Sequence, residues 1–415
     1  MDIKAGYKLT EVGVIPNDWA IKAFGEVLDG FSSGQTPYRA IKNYYTGNIP
    51  WITSGELNYN IITDTVEKIT QEAVRNTNLK TIPKGTFLFA ITGLEAEGTR
   101  GSCAITGIDA TTNQSCMALY PKKGKLTTLY LFHYYVRYGK ALALQFCQGT
   151  KQQSYTGGIA KKLPIILPPT IEEQTAIATA LSDADQYIAH LEKLIAKKRL
   201  VKQGAMQELL RPKEGWVVKK LYQIGKTYGG LSGKTKIDFQ NGEYPYIPFM
   251  NIMSNTIIDT DYFDYVKVNS FEHQNTALNG DLFFNGSSET PEEVGMCSVL
   301  LKDVTNLYLN SFCFGFRLLN KQEISGLFLS YFFRSKEGRK LVFSLAQGAT
   351  RYNLSKANFL KLEVPFPNFA EQNRIANIFK DFDMEITVLE TKLSKAQSIK
   401  QGMMQQLLTG KIRLV

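Results

Sequence analysis

The stretch ILPPTIEEQTAIATAL, Ile166 to Leu181, is answered 198 positions later by VPFPNFAEQNRIANIF, Val364 to Phe379. In both, a short apolar run stops at proline (Pro168-Pro169; Pro367) and a capping residue follows, Thr170 or Asn368. Apolar residues then recur in steps of four and three. In the first copy they are Ile177, Leu181, Ala184, Ile188, Leu191 and Ile195. In the second they are Ile375, Phe379, Phe382, Ile386, Leu389, Leu393 and Ala396, followed by Met403 and Leu407. The mean step of about 3.5 is the coiled-coil heptad. Each helix should run about 40 residues, or roughly 60 Å at 1.5 Å per residue. An amphipathic helix of that length needs a partner. The other copy is the nearest one, and a link through a whole globular domain permits an antiparallel pair. The alternative, each helix packed on its own domain, fits the heptad's regularity less well. In the first copy the seam turns polar at Lys198 and Lys202, so pairing there should be looser.

The duplication extends over the whole chain. KQGAMQELL (Lys202 to Leu210) recurs as KQGMMQQLL (Lys400 to Leu408). PNDWAIKAFGEV (Pro16 to Val27) is matched by PKEGWVVKKLYQIG (Pro212 to Gly225), and GSCAIT (Gly101 to Thr106) by GMCSVL (Gly295 to Leu300). TNQSCMALY (Thr112 to Tyr120) is matched by LNSFCFGFR, which aligns Cys116 with Cys313. FCQGTKQQSYTGG (Phe146 to Gly158) is matched by LAQGATRYNLSKA (Leu345 to Ala357). A period this long is a repeated domain-plus-helix unit, not a solenoid. Short β-rich runs such as NIPWIT, GTFLFAIT and GDLFFNG alternate with Gly/Ser/Thr loops. LTTLYLFHYYVRYGKALALQF and EISGLFLSYFFRSKEGRKLVFSL each read as one helix. Their aromatic residues (Tyr130, Phe132, Tyr134, Tyr135; Phe328, Tyr331, Phe332, Phe333) are expected in the core. The expected fold is α+β: two mixed α/β domains, 1–168 and 212–367, joined by two long antiparallel helices, 169–211 and 368–415. The helices form a coiled coil, and the whole carries a pseudo-twofold internal repeat.

Composition narrows the function classes. The 415 residues are 44% hydrophobic and 21% charged, an ordinary soluble globular balance. Forty-eight Lys and Arg against 38 Asp and Glu give a net charge of +10, which favours a polyanionic partner or serves solubility. The opening MDIKAGYKLTEVGVIPNDW lacks an apolar leader, and no apolar run is long enough to span a bilayer, so a cytoplasmic protein is expected. The five cysteines show no Cys-x-x-Cys pair and suit reduced thiols.

YGGLSGKT, Tyr228 to Thr235, ends as a phosphate-binding loop ends. Its glycine spacing is one short, since Tyr228 stands where the first glycine of Gly-x-x-x-x-Gly-Lys-Ser/Thr belongs. Set against GFSSGQTP (Gly30 to Pro37), it has Lys234 where the first copy has Gln35. A variable lysine does not suit a nucleotide site. His133, His190 and His273 are scattered, and no Cys/His set has zinc spacing. Cys103, Cys116, Cys297 and Cys313 occupy matching places and suit small core residues. Acidic pairs such as Glu172-Glu173 and Glu292-Glu293 read as capping or solvated charge. No catalytic apparatus is visible.

In this order, and twice over, the motifs PNDWAIKAFGEV, GQTP, NIPWITSGELN, KGTFLFAITG, QGTKQQSYTGG, LPPTIEEQTAIATAL and KQGAMQELL resemble the specificity subunit of type I restriction-modification systems. Copy two departs most at YPYIPFMNIM and at SSETPEEVG. The resemblance implies two target-recognition domains, each reading one half of a split, asymmetric double-stranded DNA site. It implies helices that set the spacing and dock two methyltransferase subunits carrying S-adenosylmethionine. Separate restriction subunits would use ATP and Mg, and this chain itself would bind no cofactor and catalyse nothing. A stand-alone DNA-binding or architectural protein is the competing reading.

Amide, hydroxyl and cationic side chains on loops are the candidate DNA readers. In the first domain these are Gln35, Thr36, Thr53, Glu56, Arg100, Lys151, Gln152, Gln153 and Tyr155. In the second they are Lys234, Thr235, Asn251, Asn285, Ser287, Thr350, Arg351, Tyr352, Asn353 and Lys356. The loops 149–155 and 348–356 rank first. No metal site is expected.

Overall fold

The computed structural model describes residues 5–147, 153–240, 242–348 and 351–414. It divides into two compact units, Met1–Glu192 with Lys392–Val415, and Lys193–Thr391. Both divisions fall inside the long helices, Ile171–Leu209 and Phe369–Leu407. Each unit therefore holds one globular domain, the first half of the helix that leaves it and the second half of the other helix.

In the first unit a five-stranded sheet runs in the order Leu28–Ser33, Cys116–Pro121, Phe87–Ala90, Cys103–Thr106 and Asn60–Ile62. Only the last pairing is parallel. Phe87–Ala90 is buried at all four positions, which is why it reads as a continuous apolar run rather than an alternating one. A smaller sheet places Ile49–Ile52 between Thr111–Thr112 and Glu67–Ile69. The helix Thr128–Phe146 lays Tyr135 edge-on against Phe87 and Phe89, with ring centroids 5.7 and 5.2 Å apart. The aromatic residues expected in the core are buried in both copies.

The second unit repeats this plan. Its main sheet runs Gly225–Gly229, Cys313–Leu318, Leu282–Asn285 and Cys297–Val299, and a single parallel bridge from Ile257 to Val299 takes the fifth place. Tyr244–Ile247 lies between Asp264–Val266 and Tyr308–Leu309, as Ile49–Ile52 does in the first unit. The segment expected as one helix is two, Gly326–Arg334 and Lys336–Phe343. Ser335 breaks it by taking an extended conformation and accepting a hydrogen bond from Gly338 N. Side-chain hydroxyl capping at a mid-pattern serine outcompeted the apolar periodicity. The four matched cysteines are buried, and burial raises each thiol's pKa, so they are inert packing groups.

The Glu-Gln repeat explains how each helix is anchored. Gln174 accepts from Thr127 N at 3.0 Å and donates to Lys125 O at 2.9 Å. In the second unit Gln372 accepts from Ser325 N at 2.9 Å and donates to Glu323 O at 3.2 Å. One buried amide thus ties the start of the long helix to the N-terminal cap of the aromatic helix, Thr128–Phe146 or Gly326–Arg334. Thr170 and Asn368 cap the long helices as the sequence implies, accepting from Glu173 N and Glu371 N.

The helix segments within each unit are joined by ion pairs at equivalent positions, Lys400–Asp185 in the first and Lys202–Asp383 in the second. Lys198–Glu385 adds a contact of 2.7 Å in the second unit. The polar stretch of the seam is thus spanned by charge pairs, where a looser contact was expected.

Glu173 is not a solvated charge. Its carboxylate is fully buried and meets Arg413, which also holds Asp18 through two contacts of 3.1 Å. Gly410 O accepts from the Tyr7 hydroxyl at 3.2 Å. The tail after the second helix is thereby fixed to the first domain. Arg413→Gln should leave the buried Glu173 charge under-satisfied and cost roughly 1–3 kcal/mol, and the double variant with Glu173→Gln should recover most of it. Urea unfolding of the variants checks this.

Candidate nucleic-acid interface

The two loop frames can be aligned through their sheet registers. Ser33 pairs with Met117 and Gly229 with Phe314, each one residue past the matched cysteines. Gly34 therefore answers Gly230, and Gln35 answers Leu231. Their amides confirm it: Gln35 N donates to Thr112 O at 3.1 Å and Leu231 N to Leu309 O at 2.8 Å. Both glycines are required by close approach. A Cβ on Gly34 would lie 1.7 Å from Thr112 O, and one on Gly230 would lie 2.1 Å from Asn310 O. The matching of Gln35 with Lys234 is therefore corrected by three residues. The equal spacing of Gly30–Gly34 and Gly229–Gly233 had suggested it.

Lys234 is no reader and no phosphate ligand in this structure. Its side chain is 4% exposed, pairs with Glu272 and donates to Lys267 O at 2.6 Å. The ammonium holds the Glu272 carboxyl down at about 2. Stability from this pair is fully present above the ordinary carboxylate pKa and is lost as pH falls from there through about 2. Gln274 closes the loop, accepting from Ser232 N at 3.1 Å and donating to Ser232 O at 2.9 Å. Thr235 caps the following turn against Asp238.

Several other candidates hold loops in place. Glu56 accepts from Thr53 N at 2.7 Å, Thr53 Oγ1 at 3.0 Å and Val66 N at 3.0 Å. Asn251, fully buried, donates to Asp259 O and Tyr262 O and accepts from Asp259 N. Glu56 and Asn251 do the same work in the two copies, stapling the loop that follows the central strand of the small sheet. Asn285 is also fully buried and bridges Ser287 O, Glu293 O and Met296 N. Arg100, half-buried, donates from Nε to Leu94 O at 2.8 Å and from one terminal nitrogen to Glu95 O at 2.9 Å. Tyr155 is 3% exposed and packs against Phe89. Burial removes Asn251, Asn285 and Tyr155 as base readers, while the half-buried Thr53, Glu56 and Arg100 are committed to holding their own loops. A polar residue in a Gly-rich loop looks alike in sequence whether it faces out or in. Lys151, Gln152 and Thr350 lie outside the described residues.

What the second unit brings together is one edge. Leu354 N donates to Gly286 O and Gly286 N to Phe312 O, each at 2.9 Å. Ser287 pairs with Asn353 across the adjoining strands. Arg351 and Asn353 are exposed, and Tyr352 is half-buried. The exposed Lys356 reaches toward Gly229, where an added Cβ would sit 3.6 Å from its Nζ. The first unit repeats the frame. Tyr155 N donates to Ile91 O at 2.8 Å, Ile91 N to Ser115 O at 2.9 Å, and Thr92 bridges Ser154. Gln35 is exposed, Thr36 bonds Gln114, and Gln153 is half-buried with its amide on Glu95. The sequence reading missed Phe312, which is 58% exposed on this edge. An aromatic residue in place of Ser115 was the available signal.

A family model described as the type I restriction modification DNA specificity domain matches residues 16–199 and again 213–398. The chain belongs to that family. Both halves match in the same order, so the duplication is a duplication of the family's own domain. The chain is 28% identical over 283 residues to the specificity subunit of type I restriction enzyme MjaIX of Methanocaldococcus jannaschii, covering 62% of this chain and 63% of that subunit. To the MjaVIII specificity subunit of the same organism it is 23% identical over 423 residues, covering 96% and 94%. In fold it is similar to the S subunit of a type I restriction-modification system from M. genitalium, with a TM-score of 0.59 at 15% identity over 96% of this chain and 97% of that one. A second solved chain, from work on assembly and conformational transition of the type I system, aligns at a TM-score of 0.55 and 16% identity, covering 96% and 99%. Among the described residues no helix is long and apolar enough to cross a membrane.

Lys234→Met should lower thermal stability while leaving the slope of log affinity for DNA against log salt unchanged. A slope smaller by about one would return Lys234 to the DNA contact set.

Proposed function

We propose that this chain is the DNA-reading, non-catalytic component of a type I restriction-modification complex in the cytoplasm. The domains 1–168 and 212–367 each read one half of a bipartite, asymmetric double-stranded site. The helices 169–211 and 368–415 hold the spacing and dock two methyltransferase subunits, which bring S-adenosylmethionine. Restriction subunits that consume ATP with Mg join through the same assembly.

The observation that carries this is the pair of matching loop edges in a chain whose two halves both match the DNA-specificity family. The backbone frame is the same in both, and the side chains it displays differ. Thr92, Ser115 and Ser154 stand in the first unit where Ser287, Phe312 and Asn353 stand in the second. A constant frame with changed tips suits two readers of unlike half-sites, because base edges are distinguished by side-chain donors and acceptors. The basic balance of the chain supplies the sequence-independent attraction to phosphates. The surviving reader set is Gln35, Thr36 and Gln153, with the expected Lys151 and Gln152, and Ser287, Arg351, Tyr352, Asn353 and Lys356, with the expected Thr350.

Mapping of N6-methyladenine across a genome with and without this chain tests the function and yields the target together. Arg351→Ala should weaken discrimination at one half-site by roughly 10–100-fold, the range of one lost bidentate contact, while co-purification with methyltransferase subunits persists. Undiminished methylation of the cognate sequence would remove Arg351 from the reader set. Deleting a heptad from one long helix should shift the half-site spacing or abolish methylation, and unchanged spacing would sink the ruler role.

A further inference from the structure

Phe312 is a large apolar side chain left 58% exposed at a loop tip, on a segment whose backbone is held on both sides. Its amide donates to Asn310 Oδ1 at 2.9 Å, and its carbonyl accepts from Gly286 N at 2.9 Å. Asn310 is itself fixed, its amide donating to Ile247 O at 3.1 Å and its carbonyl accepting from Cys313 N at 3.1 Å. The backbone that carries the ring is thus fixed on both sides. Arg351 lies beside it, with the guanidinium carbon 5.8 Å from the ring centroid. Lys356 stands on the same edge, near Gly229.

The first unit builds the same turn and leaves out the ring. Ser115 N donates to Asn113 Oδ1 at 3.1 Å, and Ser115 O accepts from Ile91 N at 2.9 Å. The turn does not need an aromatic residue, so Phe312 is not there for the fold. An exposed aromatic ring with a guanidinium beside it, on a turn whose backbone is held, matches the groups that stack on, or wedge between, nucleobases.

We propose that Phe312 inserts at a base step of the half-site read by the second unit and unstacks it, beside the base edge that Arg351 reads. This rests on the DNA-reading function proposed above and adds a distortion that the first unit does not make. Flexible pyrimidine–purine steps should be favoured at that position, because unstacking them costs least.

The test uses the complex with its methyltransferase subunits and duplexes carrying the mapped site. 2-Aminopurine replaces in turn each adenine of both half-sites and of their flanking base pairs, other than the methylated adenines. We expect a several-fold rise in fluorescence on binding at one step of the second unit's half-site, and no such rise in the other half-site. Phe312→Ala should abolish the rise and weaken binding about tenfold with no change in melting temperature, whereas Phe312→Tyr should keep both. An unchanged rise and affinity in Phe312→Ala would overturn the proposal, and so would a loss matched by a fall in melting temperature. A wild-type complex that fails to prefer the mapped site over a scrambled one would overturn the DNA-reading function itself. Intact preference with a silent Phe312→Ala would overturn the wedge alone.

Discussion

Two helices of 39 residues each, apolar along one seam, are the constraint on which the rest of this structure depends. Such a helix is unstable alone in water and must bury its seam. Here each helix begins in the core of one unit, with Ile177 and Leu181 or with Ile375 and Phe379 fully buried. Each then ends in the core of the other unit, with Leu407 and Leu408 or with Leu210. Neither unit is complete without a segment from the far half of the chain. The core of each unit is therefore built from both halves of the chain.

The charge arrangement follows from that sharing. Lys400–Asp185 and Lys202–Asp383 recur at the same repeat positions, so each joins a first-half helix segment to a second-half one. Such contacts fix which residues of the two helices face each other more than they stabilise, since partly exposed ion pairs are worth little. Glu173 differs because its carboxylate is buried, and Arg413 must therefore be in place. The second unit has Glu371 at the equivalent position, half-exposed and paired with Arg374 one turn along the same helix.

The loop edges show how recognition can change while the fold does not. Backbone hydrogen bonds and two close-approach glycines, Gly34 and Gly230, carry the frame. Side chains at Ser115 and Phe312, or at Thr92 and Ser287, carry no part of it that the other copy needs. Glu56 and Asn251 are the instructive case. They are chemically unlike, both were read as DNA contacts, and both staple the following loop.

The sequence by itself determined the duplication, the helices with their caps, the central apolar strands and the family. These depend on periodicity and local chemistry, which are written along the chain. The aromatic cores were legible for the same reason, since a residue such as Tyr135 or Phe333 has few options but burial. Only the tertiary structure decided which polar loop residues are free. Asn251, Asn285, Arg100 and Lys234 are typical surface residues by type, yet the first three bond backbone groups of their own folded loops and Lys234 meets Glu272 from a distant segment. The tertiary structure also set the register that equates Gly34 with Gly230, because hydrogen bonds across a sheet, and not spacing along a loop, define equivalence. Phe312 is exposed for the same physical reason. Its neighbours in space, Gly286 and Arg351, are distant in sequence, and no local pattern announces them.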